Sequence, residues 1–232
     1  MTSRPVDVAP ERLAGWLDRF EQRHGRTHAE VGPAQVLVTA QDGATAACEV
    51  PFPPLDVDAD TAYGGLTDHA CKDRCVGVLL VRLGGHAAGV FSGTDLMASK
   101  VGSRLVHGRS AAGGQSQQRF ARRREGQVRV ALQDAAAVAI RILLPAAHDL
   151  DAVVLGGDRT AVEKVMADAR LAPLRLLVVP RLLDVPDPRL RVLKDTPQLF
   201  RAVRIRVVDP PADRAGHDGH HRDAHRPPAG PS

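Results

Sequence analysis

The feature of this sequence that most constrains its fold is a long helical segment at residues 116–144. Apolar residues recur there at three- and four-residue steps, which places them on one face of a helix: Val128, Ala131, Ala135, Val138 and Ile142. Pro145 lacks the backbone N–H that a helix interior requires, so the helix is predicted to end near it. At 232 residues, the chain can bury one sizeable core around this helix.

A glycine turn directly precedes the predicted helix. Gly113 and Gly114 have no Cβ, so the backbone can adopt positive φ and approach a ligand closely. Gln115 follows, and its amide can donate and accept hydrogen bonds but has no useful basicity. Any chemistry at this turn must therefore act by placing a water or a leaving group, and the alternative is a plain turn at a tip.

Basic residues are concentrated around the same turn. Residues 100–130 contain eight Lys or Arg and one acid, a local net charge of +7, whereas the whole chain carries only +4. Such a patch favours a polyanion partner bound through its phosphates. The alternative is a solvated helix face in a chain that is rich in arginine.

The order of residues at the turn resembles a known family. Gly113-Gly114-Gln115-Ser116, followed after two residues by Arg119-Phe120-Ala121-Arg122 and then by Arg124, resembles the GGQ loop and helix of eukaryotic and archaeal class-I peptide release factors. The flanking Phe91-Ser-Gly-Thr-Asp, Lys100-Val-Gly-Ser-Arg and His107-Gly-Arg109 more closely resemble the bacterial Vms-like release factors (VLRF peptidyl-tRNA hydrolases). The close resemblance covers residues 91–127, and a looser one in element order covers residues 30–210.

The resemblance implies hydrolysis of the ester that joins a peptide to tRNA. Gln115 would be the catalytic residue, and Gly113 and Gly114 would give the loop its approach geometry. Gln117 is a competitor, because some Vms-like factors place the essential glutamine after a glycine-x-serine sequence, which Gly114-Gln115-Ser116 also provides. No cofactor and no metal are expected.

The basic residues would bind RNA phosphates of the tRNA acceptor end or of ribosomal RNA in the large subunit. They are Lys100, Arg104, Arg109, Arg119, Arg122, Arg123 and Arg124. The chain is too short for separate codon-reading and GTPase-binding domains, so we expect a codon-independent enzyme that releases nascent peptide on stalled ribosomes or large subunits. The alternative is a non-catalytic ribosome- or RNA-binding module with a basic tip.

The rest of the chain predicts an α/β (α+β) fold with a mixed sheet. Residues 9–24 read as an amphipathic helix, residues 35–39 and 45–50 as a hairpin, and residues 76–83, 87–92 and 95–107 as a meander of strands. After the long helix we expect strands at residues 152–155, 174–179 and 203–208 and a short helix at 188–199. Thr160 and Glu163 form a possible capping box for a helix that ends near residue 170. Strand, helix and strand at this spacing imply parallel pairing.

These elements suggest three regions. They are an N-terminal helix at residues 1–30, a release-factor-like catalytic domain at 31–209, and a disordered His- and Pro-rich tail at 210–232. The sequence contains no apolar run of membrane or signal length, so a cytoplasmic location and no membrane partner are expected. Cys48, Cys71 and Cys75 are odd in number, which fits free thiols.

Overall fold

The computed structural model describes residues 5–82, 84–103 and 116–210, with the backbone alone for 116–123. Its strands are β1 Val6–Val8, β2 Thr27–Val31, β3 Gln35–Ala40, β4 Thr45–Glu49, β5 Cys75–Arg82, β6 Gly85–Ser92, β7 Asp95–Ser103, β8 Ala152–Gly157, β9 Val178–Leu183 and β10 Val203–Val208. Its α-helices are α1 Pro10–His24, α2 Leu66–Cys71, α3 Ser116–Leu143, α4 Arg159–Met166, α5 Leu190–Lys194 and α6 Pro197–Phe200. Short 3-10 helices lie at Ala62–Gly65, Leu144–Ala146 and Ala169–Leu177.

The strands form two sheets. Sheet 1 has the order β1-β10-β4-β3-β2 and is antiparallel throughout. Sheet 2 has the order β7-β6-β5-β8-β9, in which the β5-β6-β7 meander is antiparallel and the β5-β8 and β8-β9 pairs are parallel. The predicted α/β fold with a mixed sheet, a strand meander and a β-α-β unit after the long helix is confirmed.

Helix α1 packs on sheet 1 through its predicted stripe. Leu13, Leu17 and Phe20 are buried in a cluster with strand residues such as Val36 and Val38, and Trp16 stacks on Phe20. The predicted hairpin is confirmed as β3 and β4. The strands of sheet 1 come from parts of the chain before and after residue 30, and they include β10, the last strand. Helix α1 therefore shares a core with strands from the rest of the chain. The three-region division stays a prediction.

Sheet 2 is covered on both faces, which explains the nearly continuous apolar run of β5. On one face, Leu79 and Val81 pack with Ala139 and Leu143 of α3. On the other face, Val78 and Leu80 join a cluster that contains Phe91, Leu193 and Phe200. Helix α3 therefore lies on one face of sheet 2 only.

The predicted core face of α3 is confirmed in part. Among the side chains of this helix that the structure describes, the buried ones are Ala135, Ala136, Ala139 and Leu143, of which Ala135 belongs to the predicted stripe. Val138 and Ile142 of the stripe are half-buried and pack against the same cluster. The second half of the helix is apolar almost all round. Its periodicity therefore identifies a helix but does not specify which side faces the sheet.

The segment after β8 also differs from the prediction. Asp158, and not Thr160, caps α4, because its carboxylate accepts a hydrogen bond of 2.7 Å from the backbone N–H of Ala161. The helix ends at Met166 rather than near residue 170.

Residues 169–177 form 3-10 turns where a strand was predicted to begin at residue 174, and β9 starts at Val178. The Arg175 guanidinium donates hydrogen bonds to the carbonyls of Met166, Ala167 and Asp168, which holds the chain in turns. The single helix predicted at 188–199 is two short helices, α5 and α6.

The three cysteines are free thiols, as predicted. None of the helices within the described residues combines the length and the apolarity needed to cross a bilayer.

Candidate functional site

The Gly113-Gly114-Gln115 segment lies in the sequence between β7 and α3. Strand β7 ends at Ser103 and α3 begins at Ser116. Gly113, Gly114 and Gln115 lie outside the described residues, as do two of the predicted phosphate contacts, Arg104 and Arg109. The structure therefore describes the two elements between which the predicted catalytic residues lie in the sequence.

Strand β7 is an edge strand of sheet 2 and carries the first predicted RNA contact. Lys100 pairs with Ala88 of β6, and residues directly opposite each other in an antiparallel pair point to the same face. Ala88 is buried against α3, so Lys100 lies on the face of sheet 2 that α3 covers. Its side chain is exposed. The predicted lysine and the arginine-rich helix are thus on the same side of the sheet.

The first half of α3 carries the other predicted RNA contacts. Gln117, Arg119, Arg122 and Arg123 lie in the helix, where the structure describes their backbone only. Arg124 is exposed, and so is Arg129 one and a half turns further on.

A groove runs between α3 and the end of α4. Its volume is about 850 Å³, and its apolar floor is formed by Val128, Leu132 and Ala136. Among the described residues, the charged side chains that line it are the cations Arg124, Arg129 and Lys164 and the acids Glu125 and Asp168. Lys164 was missed in the sequence analysis, because only the packing of α4 beside α3 brings it next to the basic helix.

The groove is cationic because one of its acids is paired elsewhere. Asp168 accepts hydrogen bonds of 3.0 and 2.7 Å from the guanidinium of Arg170. These bonds, with one from the backbone N–H of Arg170, lower the pKa of Asp168 to about 2. Of the described groove residues, Glu125 is then the acid that remains to balance Arg124, Arg129 and Lys164, and this excess of positive charge favours binding of an anion.

His86 supports the end of β7 beneath α3. It is buried on β6, two residues before Ala88, so it lies on the same face of the sheet. Burial lowers the pKa of His86, and the charge of Asp134 opposes that shift. The imidazole is therefore neutral near pH 7 and acts as a packing group rather than as an exposed base.

Within the part of the chain that the structure describes, no group of three His, Cys, Asp or Glu side chains is arranged to hold a metal ion.

Together these features define a class: α/β proteins that carry a Gly-Gly-Gln segment between an edge strand and a long basic helix. The model of the family described as actinobacteria/chloroflexi VLRF1 release factors matches residues 74–206, which is more than half of the chain. The chain belongs to this family, as the resemblance predicted. None of the curated proteins matches it.

Three solved structures are similar to this chain at low identity. An archaeal protein shares 18% identity with a TM-score of 0.38, over 68% of this chain and 48% of the other. The archaeal translation termination factor aRF1 shares 17% with a TM-score of 0.40, over 82% and 55%. The Vms1 mitochondrial localization core shares 11% with a TM-score of 0.38, over 73% and 75%. The chain thus spans about half the length of the first two.

Proposed function

We propose that this chain is a peptidyl-tRNA hydrolase that releases nascent peptides on stalled ribosomes or large subunits without reading a codon. The observation that carries the proposal is the sequence Gly113-Gly114-Gln115-Ser116 between β7 and α3 in a member of the VLRF1 release-factor family. The substrate is the ester between the peptide and the terminal adenosine of tRNA.

Hydrolysis of this ester requires a positioned water, stabilisation of a tetrahedral oxyanion and help for a departing ribose hydroxyl. The backbone N–H of Gln115 would donate a hydrogen bond to the developing charge or to the leaving oxygen, and its side-chain amide would orient the water. Gly113 and Gly114 would allow the loop to approach the ester closely. Loss of one such donor reduces a rate by roughly a hundredfold or more.

The exposed cations beside the loop support an RNA substrate. Lys100 on β7 and Arg124 and Arg129 on α3 are exposed in elements that flank the loop, and Lys164 extends the positive charge across the groove. These groups would bind phosphates of the acceptor end or of large-subunit RNA, and the low aromatic content of the chain, 3%, argues against recognition by base stacking.

The test uses defined peptidyl-tRNA, free and bound to isolated large subunits. We expect Gln115→Ala to abolish release while ribosome binding is retained. Gln118→Ala is the matched control, since it removes a neighbouring glutamine that is not proposed to act, and it should release peptide as the wild type does. Full release by Gln115→Ala with loss in Gln117→Ala would move the catalytic role to Gln117.

Release by the wild type that does not exceed the rate without protein, and so is unaffected by either change, would contradict an enzymatic role and favour the RNA-binding module. Codon independence is tested separately on ribosomes that hold either a stop codon or a sense codon in the decoding site. Equal release from both is expected, and release confined to the stop codon would contradict this part of the proposal.

A further inference from the structure

A second cleft lies on the opposite face of sheet 2 from α3. Its volume is about 440 Å³, and it is bordered by β9, by the end of β4 and by the segment that follows β4. Val154, Leu183 and Phe200, which line it, belong to the apolar cluster on the face that α3 does not cover. The cleft is therefore separated by the sheet from the groove beside the basic helix.

Three arginines and one acid line this second cleft: Arg159, Arg181, Arg204 and Glu49. Arg181 is held rigidly, because it donates a hydrogen bond of 2.8 Å to the carbonyl of Ala202 and pairs with Asp7 at 3.2 Å. Arg204 pairs with the same oxygen of Asp7, also at 3.2 Å. One carboxylate thus serves two guanidinium groups, which leaves positive charge on the wall of the cleft.

The Arg181 guanidinium is also incompletely satisfied. Only 20% of its side chain is exposed, and its Nε is buried without a hydrogen-bond acceptor among the described residues. Burial lowers the pKa of Arg181, although Asp7 and, more weakly, Glu49 oppose the shift. A buried guanidinium of this kind gains from an additional anion nearby.

Arg159 also lines the cleft, and its side chain is held only loosely. Its side chain is 69% exposed, and its distance to Glu163 is 4.0 Å, which is a weak surface pair. It can therefore turn toward a ligand at little energetic cost. With Arg181 and Arg204 it supplies guanidinium forks that match the geometry of phosphate oxygens.

An aromatic wall formed by Phe52 and Phe200 also lines the cleft. Phe52 and Phe200 meet edge to face with ring centroids 5.9 Å apart, and the guanidinium of Arg74 lies 4.9 Å from the centroid of Phe52. The backbone φ of Phe52 is +53°, a left-handed conformation that bulky residues rarely adopt. Strained positions of this kind are found preferentially at binding sites. Phe52 is thus a fixed aromatic surface beside the arginines.

We propose that this cleft binds a mononucleotide. The arginines would bind its phosphate, the aromatic wall would contact the flat base, and Glu49 would accept hydrogen bonds from ribose hydroxyl or base amino groups. The volume falls within the range of about 300 to 1,000 Å³ that is usual for small-ligand sites. This inference is independent of the proposed hydrolase activity, because none of these residues belongs to β7, α3 or the glycine loop.

The test is titration of the intact chain with adenosine and guanosine 5′-monophosphates by calorimetry, with inorganic phosphate, the unphosphorylated nucleosides and benzoate in separate arms. We expect saturable binding of a nucleotide, weaker binding of phosphate and weak or no binding of the nucleosides and benzoate. Arg159→Gln should reduce nucleotide affinity roughly tenfold, the effect of losing one charge-assisted hydrogen bond. Because Arg159 is exposed, this variant is expected to fold.

Arg191→Gln is the matched control. Arg191 is 94% exposed and also forms only a 4.0 Å pair with an acid four residues on, but it lies outside the cleft. It should bind the nucleotide as the wild type does. The inference would be overturned by equal affinity in wild type and Arg159→Gln, by preference for benzoate, or by binding of a short 5′-phosphorylated RNA without binding of any mononucleotide.

Discussion

His86 on β6 lies directly opposite Gly102 on β7, and its imidazole ring fills the space that a side chain at residue 102 would occupy. The ring is buried beneath α3. Gly102 is one residue before Ser103, the last residue of β7. A side chain at residue 102 and the imidazole of His86 therefore cannot occupy this position together.

Gly102→Ala should destabilise the protein. A methyl group at this position would overlap the buried imidazole, and forcing extra volume into a packed core costs about 1 to 3 kcal/mol. We expect the free energy of unfolding in urea to fall by that amount.

The matched control is Gly126→Ala in α3, where a Cβ would have no atom within 4 Å. Alanine is a better helix former than glycine, so this variant should gain about 0.5 to 1 kcal/mol. Equal stability of the two variants would contradict the tight contact between His86 and residue 102.

Burial of His86 should make stability depend on pH. The pKa of His86 in the folded state lies below the ordinary 6.5, mainly because the imidazole is buried. As the pH falls below about 6.5, the unfolded chain therefore binds more protons than the folded chain does. The free energy of unfolding is therefore expected to decrease from pH 7 toward about pH 5.

His69 is also buried enough for its pKa to be lowered, and it contributes in the same direction. Replacement of His86 by Gln should therefore reduce the slope of stability against pH without abolishing it. Urea denaturation at several pH values checks this, and an unchanged slope would show that His86 does not titrate on unfolding.

Helices and strands were predicted correctly where a pattern of apolar residues extended over many positions or where the residues between two strands favour a turn. The stripe of α1, the β3-β4 hairpin and the extent of α3 follow from local patterns. The phase of α3, the capping by Asp158 and the 3-10 turns at 169–177 do not. They depend on tertiary contacts. The Arg175 guanidinium, for example, donates hydrogen bonds to three backbone carbonyls.

The candidate site also combines features that could be predicted from the sequence with features that could not. The GGQ sequence and the arginine cluster could be read from the chain. Lys164 and the second cleft could not, because they are assembled from elements that are distant in sequence. Gln115, Gly113 and Gly114 as catalytic residues stay predictions.

Asp158→Ala tests the observed start of α4. Loss of the bond from its carboxylate to the Ala161 N–H should cost about 0.5 to 2 kcal/mol of unfolding free energy. Thr160→Ala removes the residue that the sequence suggested as the cap, and it should leave stability nearly unchanged because alanine suits a helix interior. Thermal unfolding of both variants separates the two assignments, and the reverse order would restore Thr160 as the cap.

The cysteines should differ sharply in reactivity. Burial raises the pKa of the Cys48 thiol to about 12, so almost none of it is thiolate near pH 8. Cys71 is exposed. Iodoacetamide at pH 8 is expected to modify Cys71 in the folded protein and Cys48 only after denaturant is added, as mass spectrometry of the digested protein would reveal. Rapid modification of Cys48 in the native protein would contradict its burial.

The cations beside the groove should bind RNA through phosphates rather than bases. Arg124 and Arg129 are exposed and lie within one positively charged groove, so each is expected to neutralise about one phosphate. The double variant Arg124→Gln/Arg129→Gln should weaken binding to large subunits, and the slope of log affinity against log salt should fall by about 2.

Arg191→Gln is the control. Arg191 is an exposed arginine that is far from the groove in sequence and is not part of its lining, so this variant should leave both quantities unchanged. A loss of affinity with an unaltered salt slope would mean that the two arginines act through packing or base contacts, and the helix would then no longer be a phosphate-binding surface.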